Sequence, residues 1–359
     1  MHTIRLRILA ATVAMMGCGM GDLDALAPDP PEGGTGAPLP GTPGGGDAGT
    51  PPGSTGDGGT SSGAEAGTSI TQPPNFKGEG QVFCPPIGGG TAAVIVNGIP
   101  RLFDVTLPTN TSNMALLFQW HGWNQLPNDF KNQIVYDPPA GQWKPFDPNA
   151  FPMPLMIVTP YSMKLLPPVG LDWDIVDGSA DTPFFEGMLQ CIEAQYKIDK
   201  TRIYSFGFSA GSVFTNLLSA KYPKLFAATI SESGVWFNDP VQQKTITVPI
   251  MPWKWPALNP TDGGNVLLTH GGPNDQVRPI VDLEKANIAA IPYLHTGGRT
   301  VTECTHNFGH TLAPDLTQAM IYQYMWAHQL GAPPIASLPA SFPTPAKPLF
   351  STACTLHKK

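Results

Sequence analysis

From about residue 80 the chain alternates two kinds of pattern. Short, almost wholly apolar runs at 114–120, 155–159, 202–206, 227–231 and 265–269 have the make-up of strands buried on both faces of a sheet. Between them, apolar residues return at helical spacing. Phe184, Met188 and Ile192, with Phe185 and Leu189 beside them, follow Asp181-Thr182-Pro183, which reads as a cap and first turn. A second helix is predicted over 280–288, and Leu316, Met320, Tyr324 and His328 mark a late one. Ahead of these, runs at 92–96 and 102–107 joined by Asn97-Gly98 predict a hairpin. Helices alternating with buried strands define an α/β class, a mostly parallel central sheet with helices on both faces. About 260 residues are ample for one such core.

Composition divides the chain further. Charged residues are only 13%, while the chain holds 39 glycines and 41 prolines, many of them between residues 19 and 78 in runs such as 40–47 and 51–59. That segment has too little apolar surface to offset the entropy of ordering, so a disordered linker is expected. Ahead of it, Arg5 and Arg7, an apolar stretch over 8–16 and Gly17-Cys18 resemble a bacterial lipoprotein signal ending at Cys18, with an ordinary signal peptide cut elsewhere as the alternative; the stretch is too short to span a bilayer. Residue 19 is Gly rather than Asp, which leans to the outer membrane. Roughly 55 flexible residues reach about 40 Å, enough to hold a catalytic domain clear of a membrane anchor. The expected division is a leader at 1–18, a linker at 19–78, a catalytic domain at 79–332 and a Pro-rich tail at 333–359. Export also accounts for the remaining cysteines: Cys84, Cys191, Cys304 and Cys354 are even in number and contain no C-x-x-C pair, which favours two disulfides over a metal site. Three pairings are open. The net charge of -7, with no basic patch to offset it, argues against nucleic acid as a partner.

The chemistry centres on Gly207-Phe208-Ser209-Ala210-Gly211, with a strand-like run before it and a helix-like run after it. A nucleophilic serine needs such a sharp strand-to-helix turn, with small flanking residues, an exposed Oγ and the next amide aimed at the oxyanion. In this architecture an acid and then a histidine follow on loops after later strands. Asp275, in His270-Gly271-Gly272-Pro273-Asn274-Asp275, is the candidate acid, and Asp282 its rival. His310 is the candidate base, because Gly309 lets its loop turn tightly just ahead of the last helix; His306 is the runner-up. His295 and His328 read as structural or exposed. The amide of Trp123, after the strand ending at Trp120, is the expected second oxyanion donor beside that of Ala210.

Taken in order, His121-Gly122-Trp123-Asn124-Gln125, Asp172-Trp173-Asp174, the run 198–204 leading to the Ser209 turn, His270-Gly271 with Asp275, and Gly309-His310 resemble the extracellular polyhydroxybutyrate depolymerase and feruloyl esterase family. The resemblance covers roughly 80 to 330 and implies an α/β-hydrolase that cleaves esters in polymers or on cell-wall polysaccharides, without a metal or other cofactor, through Ser209, Asp275 and His310. Three departures from the family pattern bear on the acyl pocket: Ser212 in place of a second glycine, Leu312 in place of a tryptophan, and a proline shifted to Pro279. Trp143 and Phe146 in the insertion at 135–154, and Trp236, Phe237, Trp253 and Trp255, are candidates for lining a substrate cleft, or else for filling the core. The expected partners are an ester substrate and, through a lipid on Cys18, a membrane. An acyltransferase or peptidase with the same triad, and an inactive surface binding protein, stand as alternatives.

Overall fold

The strand runs and helical repeats fold as a ten-stranded sheet flanked by helices. The computed structural model describes residues 82–163, 172–237, 253–278, 280–344 and 352–358. The leader with Cys18, the whole of the linker and Pro279 lie outside them. In chain order the strands are β1 (Val82–Phe83), β2 (Gly90–Val96), β3 (Ile99–Thr106), β4 (Met114–Trp120), β5 (Val135–Asp137), β6 (Gln142–Lys144), β7 (Leu155–Pro160), β8 (Ile198–Phe208), β9 (Ala228–Glu232), β10 (Asn265–His270), β11 (Gln276–Val277), β12 (Val281–Asp282), β13 (Thr300–Thr305) and β14 (Ala353–His357). The helices are α1 (Pro127–Asn132), α2 (Thr182–Gln195), α3 (Ala210–Lys221), α4 (Leu283–Thr296) and α5 (Gln318–Ala327).

The large sheet has the order β1-β2-β3-β7-β4-β8-β9-β10-β13-β14. Strands β7, β4, β8, β9, β10 and β13 run parallel, so their carboxyl ends share one edge. The Asn97-Gly98 hairpin sets Val96 opposite Ile99 in the antiparallel pair β2–β3. Alternate side chains along β4 serve two cores. Leu116, Phe118 and Trp120 pack with α2, α3 and α4 on one face, where Phe185, Phe214 and Leu294 are wholly buried. Ala115 and Leu117 pack on the other face with Phe130 of α1 and Tyr324 and Met325 of α5. Both faces are therefore covered, which is why the central strands read as continuous apolar runs.

Several elements differ from expectation because tertiary contacts outweigh local preference. Asp181 does not cap α2 through its side chain. It forms a buried ion pair with Arg101 at 2.8 Å and also accepts the Asp174 amide. Asp282 is the N-cap, accepting the Lys285 amide at the start of α4, so the helix predicted over 280–288 begins at Leu283. The late helix is bounded by Gln318 and Ala327, leaving Leu316 and His328 outside it. Within the tail, β14 joins the sheet antiparallel to β13. The cysteines pair as Cys84–Cys191 and Cys304–Cys354, tying the first strands to α2 and β14 to β13.

Candidate active site

Ser209 occupies the tight turn between β8 and α3 with φ 52° and ψ -120°, a conformation costly for a residue with a Cβ. The close packing of the turn shows why glycines flank it. A Cβ on Gly207 would collide with the carbonyl of Gly211, and one on Gly211 with the carbonyls of Trp120 and His121. Backbone pairing secures the turn from below: the Ser209 amide donates to the Glu232 carbonyl at 2.9 Å.

The loops after β10 and β13 meet beside it. The Gly309 amide donates to the Gly271 carbonyl at 3.1 Å and the His306 amide to the His270 carbonyl at 3.0 Å, stitching the two loops together. This arrangement brings the three sequence-predicted residues into one line. Ser209 Oγ–H donates to His310 Nε2 at 2.9 Å, and His310 Nδ1–H donates to Asp275 Oδ1 at 2.7 Å. Asp275 is fully buried while His310 retains partial exposure. The other carboxylate oxygen of Asp275 accepts from Ser233 Oγ at 2.7 Å and from the Gly271 amide at 2.8 Å. Its two oxygens thus accept from three donors, and among the described residues no Lys or Arg pairs with it. Phe208 packs on the His310 ring, centroids 5.1 Å apart.

The rival residues do other work. His306 is buried, and that burial pushes its pKa down to about 4, so it stays neutral. His328 behaves alike, its Nδ1–H donating to the Tyr324 carbonyl. The loop carrying Trp123 abuts the serine: a Cβ on Gly122 would lie 3.3 Å from Ser209 Cβ. Asp172 and Trp173 fix that loop, the Asn124 amide donating to Asp172 Oδ2 and Trp173 Nε1–H to the His121 carbonyl at 2.8 Å. This gives the Asp172-Trp173-Asp174 motif a physical role. The Gly122 amide is bound by Gln125 Oε1 at 2.7 Å. Ala210 opens α3, where an amide and the helix dipole together favour developing negative charge.

Of the aromatic candidates, Phe146 fills the core against Phe206 and Tyr322, and Trp143 packs on Tyr136. A cleft of about 350 Å³ at Phe146 and Lys131 contains none of Ser209, Asp275 or His310. Trp236 is buried beneath the Arg299 guanidinium, and Phe237 stacks on Trp253 at 3.6 Å. Ser212 is hydrogen-bonded to Ser231 at 2.6 Å, and Leu312 is a core residue. Sequence reasoning missed Glu232 and Ser233, the polar pair at the end of β9, whose side chains reach the histidine and acid loops.

A parallel sheet with a strained serine turn after its central strand, and an acid and a histidine on later loops, is the fold of an α/β-hydrolase. Comparison with known proteins agrees. Residues 174–248 match the family described as esterase PHB depolymerase. Acetylxylan esterase A of Emericella nidulans is 34% identical over 73 residues, 18% of this chain and 24% of the relative. The probable acetylxylan esterase A of Aspergillus flavus is 23% identical over 190 residues, 46% of this chain and 57% of the relative. The chain thus spans less than two thirds of the length of either. The crystal structure of native sOPH superposes with a TM-score of 0.56 at 16% identity, covering 77% of this chain and 96% of that one, a likeness of fold.

Proposed function

We propose that the protein is an exported serine esterase that hydrolyses carboxylic esters through an acyl-enzyme on Ser209. The observation that carries the reading is the hydrogen-bonded line from Ser209 through His310 to buried Asp275. In the first step His310 Nε2 takes the Ser209 proton as Oγ attacks the ester carbonyl, and Asp275 steadies the imidazolium. The oxyanion is held by the amides of Ala210 and Trp123. His310 then gives its proton to the leaving alkoxide, and in the second step water, deprotonated by the same nitrogen, releases the acid. The Phe208 ring over His310 limits its rotation between the two transfers.

The names of the relatives support two substrate classes, acetyl esters on a polysaccharide and a polyhydroxyalkanoate. Two disulfides support an oxidising, extracytoplasmic setting, and with it the reading of Cys18 as a lipidated anchor. Hydrolysis of p-nitrophenyl acyl esters, acetylated xylan, methyl ferulate and polyhydroxybutyrate, measured beside a Ser209→Ala variant, tests the activity and ranks the acyl groups. A folded parent that turns over none of them overturns it. Palmitate labelling of the full chain, lost in Cys18→Ala, tests the anchor.

A further inference from the structure

Two consecutive residues of β9 and its exit touch Ser209, Asp275 and the segment that follows His310. The carbonyl of Glu232 accepts the Ser209 amide at 2.9 Å. Its side-chain Oε2 accepts the Ala313 amide at 2.9 Å, three residues beyond His310. Ser233 Oγ–H donates to Asp275 Oδ2 at 2.7 Å, and the Ser233 amide donates to the Thr269 carbonyl at 2.9 Å, at the end of the strand that leads to Asp275. Ser233 holds φ at 52°, a left-handed conformation that a serine adopts at a cost. Glu232 is 2% exposed, and no salt bridge to it is found among the described residues.

An apolar side chain of the same size would fill that buried space at lower cost, since a buried carboxyl must give up its hydration. What it would not do is hold the Ala313 amide. At Ser233 the strained backbone coincides with an Oγ held on Asp275. We propose that Glu232 and Ser233 are positioning residues that set the triad's geometry: the carboxyl fixes the loop bearing His310, the hydroxyl fixes the rotamer of Asp275, and their shared backbone registers both against Ser209. The inference rests on the esterase reading above. It predicts an effect on the activation of Ser209 rather than on substrate binding.

The test compares Glu232→Gln, Glu232→Ala and Ser233→Gly, the last relieving the strained φ while removing the hydroxyl together with its Cβ. Two rates are read: ester kcat and KM, and the second-order rate at which an alkyl fluorophosphonate labels Ser209. In labelling, the Oγ–P bond forms, fluoride leaves and His310 takes the serine proton. Expected results are labelling and kcat each about tenfold lower in Ser233→Gly and in Glu232→Ala, with KM within about twofold. Glu232→Gln, which keeps an acceptor for Ala313, should recover to within about threefold of the parent. Equal labelling rates in all variants, or Glu232→Gln as slow as Glu232→Ala, overturn the inference. If the parent labels at Ser209 yet hydrolyses no ester, the esterase reading fails while the labelling series still decides the positioning role. A parent that does neither removes both.

Discussion

His310 Nε2 lies 2.9 Å from Ser209 Oγ, although 101 positions separate the two residues in the chain. That distance permits direct proton transfer, and Asp275 on the far side of the ring fixes which nitrogen faces the serine. Ser209→Ala and His310→Ala are each expected to lower kcat for an activated ester by at least about ten-thousandfold, and Asp275→Asn by a comparable factor. Steady-state kinetics, with melting curves showing all three variants folded, check this. An Asp282→Asn variant should keep its kcat, because Asp282 caps α4 instead of meeting the imidazole.

The serine turn tolerates no added carbon. Gly211→Ala would drive a methyl into the carbonyls of Trp120 and His121, and Gly207→Ala would press on Gly211 itself. Since the obstacles are backbone atoms, the turn must shift, at a cost of about 1–3 kcal/mol. Both variants should melt lower and lose most esterase activity, which differential scanning calorimetry and kinetics would register together.

Glu232 gives the fold a pH dependence of definite sign. Burial pushes its carboxyl up to about 8, only partly opposed by the Ala313 amide, whereas the unfolded chain titrates near 4.5. Between those values the folded state holds the proton more tightly, so this group's contribution to stability falls as pH rises from 4.5 through 8. Glu232→Gln removes that loss. Urea denaturation should show the variant gaining on the parent between pH 5 and pH 8 by a few kcal/mol.

On the acid side the sign reverses. His306 and His328 are held neutral by burial with pKa values pushed down to about 4, against 6.5 in the unfolded chain. The unfolded state then binds more protons between these limits, and stability falls as pH drops from 6.5 toward 4. Denaturation midpoints at pH 7 and pH 5 check this, and His328→Gln should flatten the slope.

The two disulfides span 107 and 50 residues. Loop-entropy arithmetic assigns each about 4–5 kcal/mol, a model-dependent figure for chains of that length. Reduction should lower the melting temperature markedly, and the paired replacements Cys84→Ala with Cys191→Ala, and Cys304→Ala with Cys354→Ala, should each reproduce part of that loss.

The sheet's centre was legible because strands buried on both faces must be apolar throughout, as at 114–120 and 265–269. Ser209, Asp275 and His310 were legible because each sits on a loop marked by glycine, in an order that the topology requires. Asp181 does stand at the N-cap of α2, but its side-chain partner was not legible, because Arg101 lies 80 positions earlier and no local pattern announces it. Glu232 and Ser233 were passed over for a similar reason. Their partners Ala313 and Asp275 lie 81 and 42 positions away, and a Ser-Glu-Ser-Gly stretch at a strand end looks like an ordinary polar turn. Strand β14 escaped notice because its pairing rests on β13 and on Cys304 rather than on its own short sequence.

The bond between Cys304 and Cys354 makes the chain between them a closed ring, and His310 lies inside it. A protease that cuts once anywhere between those cysteines opens the ring but releases nothing. The histidine's segment stays joined to the sheet through one arm or the other, so in a protease-rich medium a nicked molecule is still one covalent piece. Separating the proposed base from its serine takes a second cut or, where the nick lies between Cys304 and His310, a reductant.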